Sequence, residues 1–164
     1  MIMTQHPSFS IIAPIYGVEK YIVKCADSLL GQTYDDIQFI FVNDGTKDDS
    51  IVLLEKLIAE KYIHRKDRIV IVDKQNEGLP AARKTGMKYA TGDYILHVDS
   101  DDWIDFNMFE VLLKASIDND AELVVCSFIH ETNNPYPQET FLDNGIYSRE
   151  DIEQKIYPIL IRKE

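Results

Sequence analysis

The segment Tyr94-Ile95-Leu96-His97-Val98-Asp99-Ser100-Asp101-Asp102 decides the fold of this chain, because an apolar strand runs directly into a cluster of carboxylates. One aspartate is enough to make a turn, and three repel one another unless a cation lies among them. Hard divalent cations such as Mg²⁺ and Mn²⁺ take oxygen ligands and often share them with phosphates. The segment therefore predicts a metal-assisted site for a phosphorylated substrate. Taken alone, the same acids also suit a solvated turn that caps the next helix.

Strands and helices alternate on both sides of this segment. Apolar runs of strand length occupy residues 9–15, 37–42, 69–73, 94–98 and 122–129. Helical periodicity occupies residues 19–30, 48–62, 80–90 and 105–119. This alternation predicts an α/β fold with a mostly parallel sheet and helices on both faces. Beyond residue 130 the pattern weakens to a short strand or hairpin at 140–147 and a last helix, which Ser148 caps with Asp151 at the capping-box position.

Composition narrows the class of protein. The length of 164 residues suits one domain, and the net charge of −11 argues against nucleic acid as a partner, because binding to its backbone needs a basic surface. Cys25 and Cys126 lack metal-site spacing and are expected to be free thiols in a reducing compartment. No apolar run approaches the ~20 residues of a membrane helix. The sequence predicts a soluble chain.

Three of the predicted strands end in polar residues that suit a nucleoside diphosphate. The first ends at Pro14 and Tyr16, the second at Asp44, and the fourth at the acids from Asp99 onward. The carboxyl ends of parallel strands share one edge of a sheet, where ligands bind in open α/β folds. There an aromatic ring can stack on a base, Asp44 can accept hydrogen bonds from base N–H groups, and the acids can bind ribose hydroxyls and a metal.

Five segments of the chain stand in a recognisable order and spacing between residues 8 and 130. They are Ile11-Ile12-Ala13-Pro14-Ile15-Tyr16-Gly17-Val18-Glu19, Ser28-Leu29-Leu30-Gly31-Gln32-Thr33-Tyr34, Val42-Asn43-Asp44-Gly45-Thr46-Lys47-Asp48-Asp49-Ser50, Asn76-Glu77-Gly78-Leu79-Pro80-Ala81-Ala82-Arg83, and Gly92-Asp93 followed by the opening segment. In these segments the chain resembles the N-terminal, nucleotide-sugar-binding part of a family 2 glycosyltransferase of the GT-A fold.

The resemblance implies a Rossmann-like GT-A domain and assigns roles to residues. It implies a single domain over residues 1–164, with a core at 8–130 and the incomplete start of an acceptor-side region at 131–164. Tyr16 would lie beside the base, Asp44 would recognise it, and Arg83 would face the diphosphate. The full set of implied donor-binding residues is Pro14, Tyr16, Glu19, Asp44, Arg83, Asp99, Ser100 and Asp101. The implied ligands of Mg²⁺ or Mn²⁺, held jointly, are Asp99, Asp101 and Asp102.

The resemblance also implies an activity. Such an enzyme moves a sugar, with inversion, from a nucleotide-activated donor, most often a UDP-sugar, to a saccharide or lipid-linked acceptor in polysaccharide biosynthesis. Its catalytic base is expected beyond Glu164, so an inactive fragment stays open for this chain alone. The implied location is cytoplasmic, with membrane association at the inner face through regions outside the chain. Departures from the family pattern put the donor's identity in doubt; they are Gly17, Gly31, Asn43 and Lys84.

Two other function classes stay open. A sugar-phosphate nucleotidyltransferase normally carries a Gly-rich, basic loop after its first strand, and the stretch from Tyr16 to Glu19 suits a triphosphate poorly. A non-catalytic nucleotide-sugar-binding module fits the absence of an assigned base. A Rossmann dehydrogenase is disfavoured, because no G-x-G-x-x-G follows the first strand.

Overall fold

The computed structural model describes residues 7–121, 123–126, 129–130, 136–137 and 145–156. The chain divides into two compact units, residues 1–110 and 111–164. In the first unit, strands and helices alternate as the sequence predicts. Its elements are β1 (Phe9–Ile15), α1 (Ile22–Leu30), β2 (Ile37–Asn43), α2 (Ser50–Lys61), a 3₁₀ helix (Ile63–Arg68), β3 (Ile69–Asp73), α3 (Leu79–Met87) and β4 (Tyr94–His97), and α4 (Met108–Asn119) follows.

The four strands form one parallel sheet in the order β3-β2-β1-β4. Ile15 pairs with Asn43, and Asn43 pairs with Asp73, so β1, β2 and β3 end level with one another. On the other side, Ile12 pairs with His97. The two central strands are apolar almost throughout because both of their faces are covered. The predicted parallel α/β fold is thereby confirmed.

Alternate residues of the central strands point to opposite faces, and helices cover both. On one face Ile11, Phe39 and Phe41 belong to a large buried cluster that residues of α1 and α2 complete. On the other face Ile12 belongs to a smaller cluster that residues of α3 complete. A Cβ at Gly86 of α3 would collide with Ile12 Cγ2, so glycine lets this helix lie directly on the sheet.

The second unit differs from the sequence prediction at its strand. Residues 123–126 form no strand, and β5 (Ile129–His130) pairs antiparallel with β6 (Tyr136–Pro137). The parallel strand predicted over 122–129 is therefore wrong in this part. Leu123 and Val125 are largely exposed, so their apolar character does not reflect burial in a sheet.

The last described helix keeps its predicted start. In α5 (Arg149–Asp151), Ser148 and Asp151 form the predicted capping box, and a π-type turn (Ile152–Ile156) follows. The hairpin predicted at 140–147 lies mostly outside the described residues. Among the helices that are described, none combines the length and the apolar character that crossing a bilayer requires.

Candidate functional site

The strand ends that the sequence singles out meet at one edge of the sheet. The backbone N–H of Asp44 donates to the Ile15 carbonyl at 3.0 Å, which ties the end of β2 to the end of β1. The buried Ser100 Oγ donates to the Pro14 carbonyl at 2.6 Å, which ties the turn after β4 to β1. Sequence-predicted residues from three strands therefore share this edge.

Asp44 is buried, and its carboxylate organises the loop after β3. Oδ1 accepts from Lys74 Nζ at 2.6 Å and from the Glu77 backbone N–H at 3.1 Å, and Oδ2 accepts from the Gly78 backbone N–H at 2.9 Å. Burial by itself would raise the pKa of Asp44, but the Lys74 ammonium and the two backbone donors lower it below its ordinary value. Asp44 is therefore held ionised against the segment from Lys74 to Gly78.

The ammonium of Lys74 is fully engaged in this loop. Besides Asp44 Oδ1, Lys74 Nζ lies 2.9 Å from Glu77 Oε2 and 2.5 Å from the Gln75 carbonyl oxygen. An ammonium group has three N–H donors, and all three have an acceptor here. The Lys74 side chain is only 12% exposed. Asp44 and Lys74 thus form an internally neutralised pair at the carboxyl end of β2.

A second carboxylate, Asp48, fixes the loop between β2 and α2 against the loop after β1. Its Oδ1 accepts from Thr46 Oγ1 and Ser50 Oγ, both at 2.7 Å, and its Oδ2 accepts from the Glu19 backbone N–H at 3.0 Å. Burial would raise the pKa of Asp48, yet these donors lower it to about 2. Thr46 Oγ1 also accepts from the Gly17 N–H at 2.9 Å. The loops that carry the site are therefore joined by polar contacts.

Tyr16 and Glu19 lie on the loop after β1. Tyr16 is 56% exposed, so its ring is available to a ligand. Glu19 Oε2 accepts from the Asp49 backbone N–H at 3.4 Å, near the start of α2. In this structure Glu19 holds the two loops together, whereas Tyr16 is the exposed aromatic group at the sheet edge.

The turn from Asp99 to Asp102 contrasts with the Asp44 pair. The Asp102 N–H donates to the Asp99 carbonyl at 2.9 Å, which closes the turn. Arg83 Nη2 donates to Asp99 Oδ1 at 2.6 Å, and the two side chains are 37% and 41% exposed. The pKa of Asp102 is raised, by burial and then by the negative charges of Asp101 and Asp99. The turn therefore holds mutually repelling carboxylates.

Two buried polar residues, Ser28 of α1 and Gln32 just after it, bind the backbone of the segment that follows the Asp99–Asp102 turn. Gln32 Nε2 donates to the Asp105 carbonyl at 2.7 Å, and Gln32 Oε1 accepts from the Phe109 N–H at 3.3 Å. Ser28 Oγ accepts from the Ile104 N–H at 3.2 Å. This explains why the segment around Gln32 stands among the sequence motifs although it carries no predicted ligand contact.

The carboxylates of the Asp99–Asp102 turn suit a hard divalent cation whose remaining ligands are phosphate oxygens. Within the described ranges, no three His, Cys, Asp or Glu side chains are arranged to hold a metal by themselves. Mg²⁺ is usually bound through one or two carboxylates together with substrate phosphates, rather than by an all-protein cage. Burial, and then the negative charges of Asp101 and Asp99, raise the pKa of Asp102, and a cation would offset that repulsion. Asp99, Asp101 and Asp102 therefore fit such a site.

Departures from the family pattern have local explanations. Gly17 adopts a positive φ of 69°, which glycine tolerates and most side chains do not. Asn43 donates to Asp73 Oδ1 at 2.8 Å and accepts from the Thr46 N–H at 2.9 Å, so its amide bridges β3 and the following loop. Lys84 is exposed on α3.

Lys74 is the residue that sequence reasoning missed. Its position directly after β3 places it at this sheet edge, but no pattern in the sequence links its ammonium to Asp44. Asp44 and the Asp99–Asp102 turn follow strands β2 and β4, and β1 lies between these two strands in the sheet.

Comparison with known proteins identifies the family. The family model described as glycosyl transferase family 2 matches residues 10–160. The chain belongs to glycosyltransferase family 2. It is 44% identical over 128 residues to the uncharacterized glycosyltransferase EpsJ of Bacillus subtilis, and the match covers 78% of this chain and 36% of EpsJ. It is 38% identical over 119 residues to the glycosyltransferase GlyA of Streptococcus pneumoniae, covering 73% of this chain and 16% of GlyA.

Solved structures agree with the fold. The structure of residues 1–349 of S. aureus TarS in complex with UDP matches with a TM-score of 0.60 and 26% identity, over 69% of this chain and 33% of TarS 1–349. The same part of TarS in complex with UDP-GlcNAc matches at 27% identity with a TM-score of 0.60. The predicted GT-A fold is thereby confirmed. The chain spans about a third of EpsJ and of TarS 1–349.

Proposed function

We propose that this chain forms the nucleotide-sugar site of a glycosyltransferase that transfers a sugar from a UDP-sugar to a saccharide or lipid-linked acceptor with inversion. The observation that carries the proposal is the sheet edge described above, where Tyr16, Asp44 and the Asp99–Asp102 turn follow three adjacent strands in a chain of family 2. The binding of UDP and UDP-GlcNAc by TarS supports uridine as the nucleoside.

In this proposal the two ends of the donor meet different groups. The Tyr16 ring stacks on the base, and Asp44 accepts a hydrogen bond from it. Arg83 faces the diphosphate. Its side chain is 37% exposed, so part of the guanidinium can meet a phosphate oxygen. Its Nε is buried and lacks an acceptor among the described residues. Glu19, Pro14 and Ser100 contribute by fixing the loops around the nucleotide.

The transfer needs charge stabilisation on the leaving diphosphate. The acceptor oxygen bonds to the anomeric carbon while the bond from that carbon to the diphosphate oxygen breaks, and the nucleoside diphosphate leaves with the electron pair. Asp99, Asp101 and Asp102 would hold Mg²⁺ or Mn²⁺, which when bound stabilises the negative charge on the departing phosphates. The hydroxyl proton passes to a general base outside the nucleotide site.

Calorimetric titration of the chain with UDP tests the proposal. We expect UDP to bind in the presence of Mn²⁺ and to lose affinity in EDTA. Asp101→Asn should lower the affinity in Mn²⁺ by about tenfold, since it removes one ligand charge. Asp67→Asn is the matched control, because Asp67 is exposed on the 3₁₀ helix far along the chain from the turn. Absence of UDP binding, or equal binding in EDTA, would contradict the proposal.

A further inference from the structure

The acceptor sites of Asp44 can be counted. An ionised carboxylate offers about four lone-pair positions on its two oxygens. On Oδ1, Lys74 Nζ and the Glu77 N–H occupy two of them, and on Oδ2 the Gly78 N–H occupies one. One position therefore remains on Oδ2, and Oδ1 is full.

This count matters because bases differ in the donors that they present. Uracil carries one N–H, at N3, between two carbonyl oxygens. Guanine presents N1–H and the N2 amino group side by side, and a carboxylate pairs with both only if each oxygen has a free lone pair. The one free position on Asp44 Oδ2 is enough for uracil. Guanine would also need a free position on Oδ1, which Lys74 occupies.

The geometry points to Lys74 as a specificity-determining residue, whose ammonium fills one acceptor position of Asp44 and thereby admits a base with one N–H donor and excludes a base with two. The inference rests on the proposed function, since it assumes that Asp44 meets the base. Lys74 does not touch the base in this scheme, because its three donors are already engaged by Asp44, Glu77 and Gln75.

The charge of Lys74 adds a second, independent effect. Asp44 must be ionised to accept the N3–H of uracil. Lys74 and, behind it, Glu77 are the charged side chains that face this carboxylate within the described residues. Burial raises the pKa of Asp44 and Lys74 counters it. Without the ammonium, the pKa of Asp44 is higher than in the wild type. As the pH is lowered, the variant therefore loses UDP binding before the wild type does.

The experiment compares UDP and GDP affinities by calorimetry in Mn²⁺ for the wild type and Lys74→Met. We expect the wild type to prefer UDP, and the preference to fall by about tenfold in the variant, the equivalent of one hydrogen bond gained by GDP. Lys61→Met is the matched control, because Lys61 Nζ lies 2.6 Å from Asp27 Oδ1 in a lysine–aspartate pair between α2 and α1. Its UDP preference should equal that of the wild type.

The outcomes separate the two proposals. If the wild type binds neither nucleotide, the proposed function fails. If the wild type binds UDP and Lys74→Met keeps the same preference over GDP, the role of Lys74 is overturned and the proposed function stands. Should Lys74→Met not fold, Lys74→Gln keeps a donor for Oδ1 but not the charge. Its UDP affinity should then decline at a higher pH than that of the wild type. An unchanged pH profile in that variant overturns the charge effect of Lys74, because the phosphate titration of UDP is common to both proteins. An unchanged UDP preference in Lys74→Leu, a second apolar variant, overturns its role in base selection.

Discussion

Two carboxylate sites lie at the same edge of the sheet, and the protein treats their charge in opposite ways. Asp44 is buried and neutralised by Lys74, with further donors from the loop backbone. The Asp99–Asp102 turn is more exposed, and Arg83 pairs with Asp99. Burial, and then the negative charges of Asp101 and Asp99, raise the pKa of Asp102. The difference teaches that the protein itself completes the first site, whereas under the proposed function a cation completes the second.

The largest effect should come from removing the buried carboxylate. We expect Asp44→Ala to lower the free energy of unfolding by about 3 kcal/mol, because it leaves the Glu77 and Gly78 N–H groups without an acceptor. Urea unfolding measures this. Asp99→Ala is the matching variant in the Asp99–Asp102 turn. It should lower the free energy of unfolding by less than about 1 kcal/mol, because its ion pair with Arg83 is partly exposed to solvent. Equal losses would contradict the contrast between the two sites.

Asp48 should come next, because it joins the loops next to Asp44. We expect Asp48→Ala to cost about 2 kcal/mol at pH 7 through loss of its charge-assisted hydrogen bonds. The folded pKa of about 2 lies below the ordinary value, so the stabilisation is present above the unfolded pKa and is lost as pH falls through about 2. Asp49→Ala, one residue along the chain, is the control and should change stability by less than about 0.5 kcal/mol.

The position of both sites at one edge of the sheet was accessible from the sequence, whereas the burial and neutralisation of Asp44 were not. The apolar runs around Ile11, Phe39 and Ile95 predicted the strands, because their polar ends mark the sheet edge and their length excludes helices. Tyr16, Asp44 and the Asp99–Asp102 turn follow strands at that edge, and their role in donor binding stays a prediction. Lys74 was not found, since no local pattern shows that its ammonium reaches Asp44 thirty residues earlier. The strand predicted around Val125 failed because β-branched composition says nothing about whether a neighbouring strand exists.

Ser100, whose hydroxyl ties the Asp99–Asp102 turn to β1, should contribute less to stability than Asp48 does. Ser100→Ala removes the buried 2.6 Å hydrogen bond to the Pro14 carbonyl and should cost about 1 kcal/mol of unfolding free energy. It should also reduce Mn²⁺-dependent UDP affinity, because the carboxylates next to it lose their anchor. Ser116→Ala removes a 2.7 Å bond to the Ala121 carbonyl in the second unit and serves as control. If Ser116→Ala also lowered the UDP affinity, the effect of Ser100→Ala would not be specific to the turn after β4.

The smallest effect on stability should come from Asp102. Its pKa is raised in the folded state, so its contribution to stability is fully present below the unfolded pKa and is lost as pH rises through the folded pKa. We therefore expect Asp102→Asn to be neutral, or stabilising by a few tenths of a kcal/mol at pH 7, in thermal unfolding without metal. Added Mn²⁺ and UDP should reverse the order and favour the wild type. A clear destabilisation without metal would show that the turn does not carry excess charge.

Gly86 of α3 has a consequence for the position of the Arg83 side chain. Gly86 lets the helix backbone rest on Ile12, and Arg83 lies one turn earlier on the same helix, with Asp99 at the tip of its side chain. Because residue 86 has no Cβ, the helix lies close to the sheet at this point. The distance between helix and sheet in turn affects where the Arg83 guanidinium lies. The missing side chain at Gly86 thus helps to determine where Arg83 meets Asp99.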